Sequence, residues 1–306
     1  MVTKRTYGNL TWINLASPTS EEIRELVETL PISPRVAEEL LSPTDRPKLD
    51  VYPDYVYLIL HFPTIRYTGS NEQNQEVDFI ISERVLVTVH YDAVDAIEQF
   101  AQRFEVTGMA GSNKLKGKLH AGFIFYHLIL ELYRELESEL DVTESKLKEI
   151  ERNVFMGEER QMVEELSVVS RDLLDIEHAI ESHGETLRDL LAEAGNLLDD
   201  VFTWELRDIL RHYRSVYGRL KNLREFVGDL RTTNDSLLTT KQNEVMKVLT
   251  ILAFVTFPLA LVAGIFGMNI SNLPFAGSEH GFLIIMGIMA GLTLAMFAYF
   301  KLKRWL

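Results

Sequence analysis

The stretch FGMNISNLPFAGSEHGF, residues 266–282, carries amide, carboxylate and imidazole side chains but no Lys or Arg. Little else in the chain is spaced for chemistry. Eight His are scattered with no HExxH and no close pair, so the pattern builds no zinc site. Cysteine is absent, which excludes disulfides and thiolate metal sites. MAGSNKLKGKL near residue 110 has the glycines and lysines of a phosphate loop. The spacing fails, because no Gly lies five residues before Gly117 and Leu follows Lys118 where Ser or Thr is needed. With no nucleophile elbow either, the chain does not read as an enzyme. The polar island is what needs explaining.

Its setting is the first clue. Residues 248–268 and 282–300 on either side contain no charged residue. A bilayer core about 30 Å thick needs roughly 20 apolar helical residues, and both runs meet that length. Lys241 and Lys247 precede the first run; Lys301, Lys303 and Arg304 follow the second. The positive-inside rule then places both termini in the cytoplasm and the island outside, with Trp305 at the cytoplasmic interface. The N-terminal MVTKRTYGNLTW has no apolar core of signal-peptide length. A net charge of −14 disfavours nucleic acid as a partner and suits cations or plain solubility.

The remaining chain must position these spans. LTWINL, YVYLILHF, VDFIIS and RVLVTV read as strands rich in β-branched and aromatic residues, and SPTSEEIRELVETL reads as a helix capped by Thr19 or Ser20. Together they predict an α/β domain over residues 1–116. Residues 117–242 turn helical. Tyr126, Ile129, Tyr133, Leu136, Leu140, Leu147, Ile150 and Val154 make one seam, with Thr143 filling its gap. Met162, Leu166, Val169, Leu173, Ile176 and Ile180 make a second after a break at MGEE. Residues 243–306 hold the two spans.

From about residue 196 to 266 no strong breaker occurs before Pro258, which predicts one helix about 100 Å long. Tyr213, Val216, Leu220, Leu223, Val227, Leu230 and Leu237 form its packing stripe. Beside it, at seven-residue steps, stand Asp208, Ser215, Asn222, Asp229, Ser236 and Asn243, with a companion row Gly218, Glu225, Thr232, Thr239 and Met246. Small polar residues there suggest a water-filled passage lined by several copies of the helix, provided the helices supercoil. Inside the membrane the same face presents Asn243, Met246, Leu249 or Thr250, Ala253, Phe257, Ala260 and Gly264. Two spans cannot enclose a pore alone, so an oligomer is required. Met246, Leu249 and Phe257 would form apolar constrictions able to gate by dewetting.

NEVMKVLT (243–250), FPLALVAGIFGMN (257–269) and YFKLKRWL (299–306) resemble the CorA magnesium-transporter family, whose hallmark is Gly-Met-Asn at the outer end of the first of two spans. EELLSPTDRPKLDVYPDYVYLIL (38–60) is similar to its N-terminal domain. The resemblance implies an α+β membrane protein: a cytoplasmic α/β domain, long stalk helices and two C-terminal transmembrane helices. It further implies a funnel-shaped homopentamer in the cell membrane. Gly267, Met268 and Asn269 would form the selectivity mouth, five Asn269 amides meeting the entering ion. Mg²⁺ gives up water reluctantly, and neutral amide oxygens can accept hydrogen bonds from its hydration shell.

The resemblance also implies feedback. Glu38 and Glu39, before Arg46-Pro47-Lys48, and Asp208 match the places of the family's intersubunit regulatory Mg²⁺ site. Leu130, with Glu131 beside it, stands where a further sensor acid can occur. Phe257 replaces a common Met, and SNLPFAGSEH lacks an aromatic-acidic pattern found in some members. Mg²⁺ is the expected cargo and regulator, with Co²⁺ and Ni²⁺ as further cargo. A Zn²⁺ transporter of the related ZntB type is the alternative, and a membrane-anchored coiled-coil scaffold without transport is a second.

Overall fold

The computed structural model describes residues 1–44, 46–63, 74–92, 94–110, 120–197, 200–268, 274 and 280–303. It divides into two units, Met1–Arg231 and Thr232–Leu306.

The first unit is built on six strands: β1 (Val2–Tyr7), β2 (Leu10–Ala16), β3 (Lys48–Val51), β4 (Tyr55–Pro63), β5 (Asn74–Ser82) and β6 (Val85–His90). They form one sheet in the order β1-β2-β6-β5-β4-β3, antiparallel except where β2 pairs with β6. All four expected strands are present. The two that sequence did not suggest, β1 and β3, are the sheet edges.

Tyr55 through Phe62 on β4 are buried without interruption, because both faces of the sheet are covered. One face packs on α1 (Ser20–Thr29) and α2 (Pro34–Glu39), with Ile23, Leu26, Val36 and Leu40 meeting Tyr57, Ile59, Ile80 and Val87. Thr19 caps α1 in a reciprocal box with Glu22, Thr19 N donating to Glu22 Oε2 at 3.0 Å and Glu22 N to Thr19 Oγ1 at 3.3 Å. The other face meets α3 (Asp95–Ala110) and α4 (Ala121–Met156) through the edge-on pairs Trp12–Phe100 and Phe79–Phe125.

Both expected seams are buried except at Tyr126, the first residue of the α4 seam, which is half-buried. Every seam residue from Ile129 to Val154 lies in the core, as do those of α5 (Glu159–Ile180) from Met162 to Ile180. Gly157, at φ 101°, closes α4 in the left-handed region that Gly adopts without strain. α6 (His183–Leu197) follows, and then α7, one helix of 67 residues over Asp200–Phe266. In this unit Tyr213, Val216, Leu220, Leu223, Val227 and Leu230 of α7 are buried as expected.

The second unit comprises the remainder of α7 and α8 (Gly281–Leu302). Both helices are long and apolar enough to span a membrane, and their large side chains are mostly uncovered. Ile251 on α7 and Phe300 on α8 are the buried exceptions, at 9% and 6% exposure.

Candidate ion pathway and sensing acids

α7 ends where the polar island begins. Gly267 N donates to Ala263 O at 2.9 Å and Met268 N to Ile265 O at 3.3 Å, so the island starts on a hydrogen-bonded helix end. A Cβ built on Gly267 would lie 2.9 Å from that same Ala263 carbonyl, a backbone atom that cannot swing aside. Glycine is therefore required here by close approach. Met268 is exposed; Asn269 and Glu279 lie outside the described residues.

Along the expected pore stripe, Asn243, Met246, Leu249, Phe257, Ala260 and Gly264 are exposed and Ala253 is half-buried. Exposure alone does not single out that face, since Val248, Leu252 and Phe254 are exposed too. Burial is more informative. Ile251, the buried large apolar side chain of α7 in this unit, lies roughly 150° around the helix from the stripe, so the covered side of α7 is not the stripe. Pro258 cannot donate a hydrogen bond within α7, yet the helix runs through it.

In the first unit the polar row does not hold one environment. Ser215, Asn222 and Asp229 are exposed, but Asp208 is 7% exposed. A straight helix drifts about 20° per heptad, so a strict seven-residue row winds around it. Asp208 consequently turns toward α4, where Tyr126 Oη donates to its Oδ2 at 2.7 Å. Arg211 pairs with its other oxygen, and His212 Nε2 lies 3.8 Å away.

The other two expected sensing acids sit at the end of α2. Glu38 is exposed. Glu39 is half-buried: Lys48 Nζ lies 2.9 and 2.8 Å from its two oxygens and Arg35 Nε lies 3.2 Å from Oε1. Arg35 precedes Glu39 by four residues on one helical face, a pairing legible in sequence. Among the described residues of the single chain, no group of three His, Asp or Glu is placed to hold a metal, so Glu38, Glu39 and Asp208 are not brought together within one chain. Leu130 is buried, and Glu131 is held by Arg103 at 2.5 Å and Arg134 at 3.0 Å.

A buried polar network beneath Glu39 was not anticipated. Glu76 and Asp78 alternate on β5 and so face the same side of the sheet. Thr44 N and Oγ1 donate to Glu76 Oε2 at 2.5 and 3.1 Å, and His61 Nε2 lies 3.3 Å from it. Tyr57 Oη and Tyr91 Oη lie 3.2 and 3.4 Å from Asp78 Oδ2, and Tyr91 Oη also lies 3.4 Å from the Glu39 carbonyl. Burial first, then the neighbouring charge of Glu76, hold the Asp78 carboxyl well above the usual carboxylate range. Behind β4, His183 Nε2 donates to His61 O at 2.8 Å and Nδ1 accepts from Tyr133 Oη at 2.9 Å. Burial pushes His183 down to about 3.

Known proteins are similar to this chain in sequence and fold. The sequence model of the family described as CorA-like Mg²⁺ transporter protein matches residues 7–304. The cobalt/magnesium transport protein CorA of Thermotoga maritima is 25% identical over 297 residues, 97% of this chain and 83% of that protein. The complete structure of the CorA magnesium transporter from Methanocaldococcus jannaschii has a TM-score of 0.83 at 21% identity, covering 97% of this chain and 92% of that one. The ZntB cytoplasmic domain from Vibrio parahaemolyticus is more distant, with a TM-score of 0.56 at 16% identity over 77% of this chain and 89% of that one. Fold and matches define a two-span transporter of divalent cations. The chain belongs to the CorA-like Mg²⁺ transporter family.

Proposed function

We propose that this protein carries Mg²⁺ into the cytoplasm through a pore shared by five copies of α7, driven by the membrane potential and restrained by cytoplasmic Mg²⁺. The observation that supports it most is the Gly-Met sequence closing a charge-free span in a chain whose family match runs nearly end to end. Residues 1–116 and 117–242 form the sensing domain and stalk in this reading, and 243–306 the membrane part. Both termini are cytoplasmic.

Gly267, Met268 and Asn269 form the mouth. Neutral amide oxygens hold a hydrated divalent ion without stripping water from it, and no Lys or Arg of the island repels it. Asn243, Met246, Leu249, Ala253, Phe257, Ala260 and Gly264 line the passage. The large apolar members, Met246, Leu249 and Phe257, act as dewetting gates. Glu38 and Glu39 of one subunit and Asp208 of its neighbour bind the regulatory ion. Co²⁺ and Ni²⁺ are further cargo.

Uptake into proteoliposomes under an inside-negative potential tests this. The wild type should take up Mg²⁺, and Asn269→Ala should lower the flux at least about tenfold, the loss typical of disturbing a metal's outer-shell partner. Zn²⁺ uptake coupled to a pH gradient, without Mg²⁺ flux, would favour the ZntB-like reading. No flux of either ion from correctly assembled protein would leave a membrane scaffold.

A further inference from the structure

Within the second unit a cavity of about 480 Å³ opens between α7 and α8, lined by Phe254, Ala295, Met296, Tyr299, Phe300 and Lys303. Its size falls in the range of pockets that hold small organic ligands. Phe300 is part of the helix contact, while Phe254, Ala295, Tyr299 and Lys303 are exposed. The polarity runs one way. Lys303 and the Tyr299 hydroxyl mark one end; Ala295, eight residues from Lys303 and about 12 Å along the helix, lies toward the other. Phe254 stands seven residues beyond Lys247, about 10 Å inward from the last charge before the span. The walls there are aromatic, thioether and methyl groups.

A cation at the membrane surface and an apolar slot leading inward from it match an anionic amphiphile. A second copy of α7 or α8 is a poorer occupant. Residues 248–268 and 282–300 hold no acid, and Glu244, the acid on α7 at the Lys303 end, is flanked by Lys241 and Lys247, so a neighbour's helices offer Lys303 no net negative charge. A phospholipid phosphate does. Basic pockets between spans on the cytoplasmic side are where anionic headgroups settle.

We propose that this groove binds an anionic phospholipid of the cytoplasmic leaflet, its phosphate at Lys303 and one acyl chain along Phe254 and Met296. The inference rests on α7 and α8 being membrane spans with cytoplasmic termini, and not on which cation is carried.

The test is native mass spectrometry of the full chain in detergent, titrated with phosphatidylglycerol and with phosphatidylcholine of the same acyl chains. Phosphatidylglycerol should bind about fivefold more tightly, the factor expected for one basic residue facing an anionic headgroup. Lys303→Gln should remove that preference and Lys303→Arg should keep it. Ala295→Trp, which fills the apolar end, should weaken both lipids. Light scattering on each variant must show the wild-type assembly, which separates lost lipid binding from lost structure. Equal affinity for the two lipids, or a preference untouched by Lys303→Gln, overturns the proposal. The chain has no cysteine, so Ala295→Cys introduces a single thiol. Failure of that thiol to react with a maleimide in the assembled protein, with or without added phosphatidylglycerol, would assign the groove to a neighbouring subunit and overturn the proposal as well. Cation flux measured on the same variants reports separately on the transport reading.

Discussion

Asp78 and Glu76 put two carboxyls on one buried face of β5, where burial and the neighbouring Glu76 favour a proton on Asp78. Their outer oxygens are met by Thr44, His61, Tyr57 and Tyr91, while Asp78 Oδ1 and Glu76 Oε1 find no donor among the described groups. A proton kept on Asp78 supplies one. Because the folded state holds that proton above the pH at which the unfolded chain releases it, the contribution is full below about pH 4 and falls as pH rises. Asp78→Asn replaces the proton with an amide N–H that does not titrate. The variant should match the wild type near pH 4 and be more stable at pH 8 by about 1–2 kcal/mol, the scale of a relieved buried acceptor. The difference between the two melting curves is the readout, because His183 acts oppositely, destabilising the fold as pH drops below about 6.5. A gap that does not widen between pH 4 and 8 would mean that Asp78 is ionised in the folded protein. This network was hidden in the sequence because a carboxylate in a strand ordinarily reads as the solvent face. Only pairing β5 between β4 and β6 puts it inside.

At the scale of elements, the seams carry the stability of the helical layer. Leu147 is completely buried on α4, whereas Phe155 near the end of the same helix is 66% exposed. Leu147→Ala should cost about 2–5 kcal/mol and lower the melting temperature clearly, while Phe155→Ala stays within about 0.5 kcal/mol. Similar losses would mean that Phe155 is covered in the assembled protein. These seams were legible because a heptad repeat survives whatever it packs against. β1 and β3 were not. An edge strand keeps one side bare, so VTKRTY and KLDV have little apolar pattern to detect. α2 is a single short turn-rich helix, whose sequence signal is weak for the same want of length. The polar row on α7 was legible in spacing and misleading in environment: drift carries Asp208 under Tyr126 while Ser215 and Asn222 remain exposed. The Gly267 requirement was visible only as one letter of a three-residue motif. The backbone supplies its cause in the Ala263 carbonyl.

For the whole molecule, the proposed potential-driven pore would need a brake. A divalent ion moving inward across 100 mV gains about 4.6 kcal/mol, enough to sustain roughly a thousandfold accumulation. An unregulated pore would overfill the cell, which is why the proposed reading gives the cytoplasmic part the task of sensing the ion. Asp208 suits that task because its oxygens are already oriented, yet the partners that orient it are a neutral phenol and exposed Arg211. Arg211 is solvated although Asp208 is buried, so in the proposed reading a divalent cation takes the place of the guanidinium on that carboxylate. Glu39 is likewise held by side chains, Arg35 and Lys48, that can release it. Asp208→Asn keeps an oxygen for Tyr126 and removes the charge, so the fold should persist while ion binding weakens. In proteoliposomes loaded with graded internal Mg²⁺, the variant should need at least about tenfold more Mg²⁺ than the wild type to halve the initial influx. Flux with Mg²⁺-free interiors should be the same for both. If the inhibition curves coincide, Asp208 belongs to the structure of the stalk alone and the brake lies elsewhere. If the variant is also slower with empty interiors, the substitution has disturbed the pore itself, and its role in sensing falls with it.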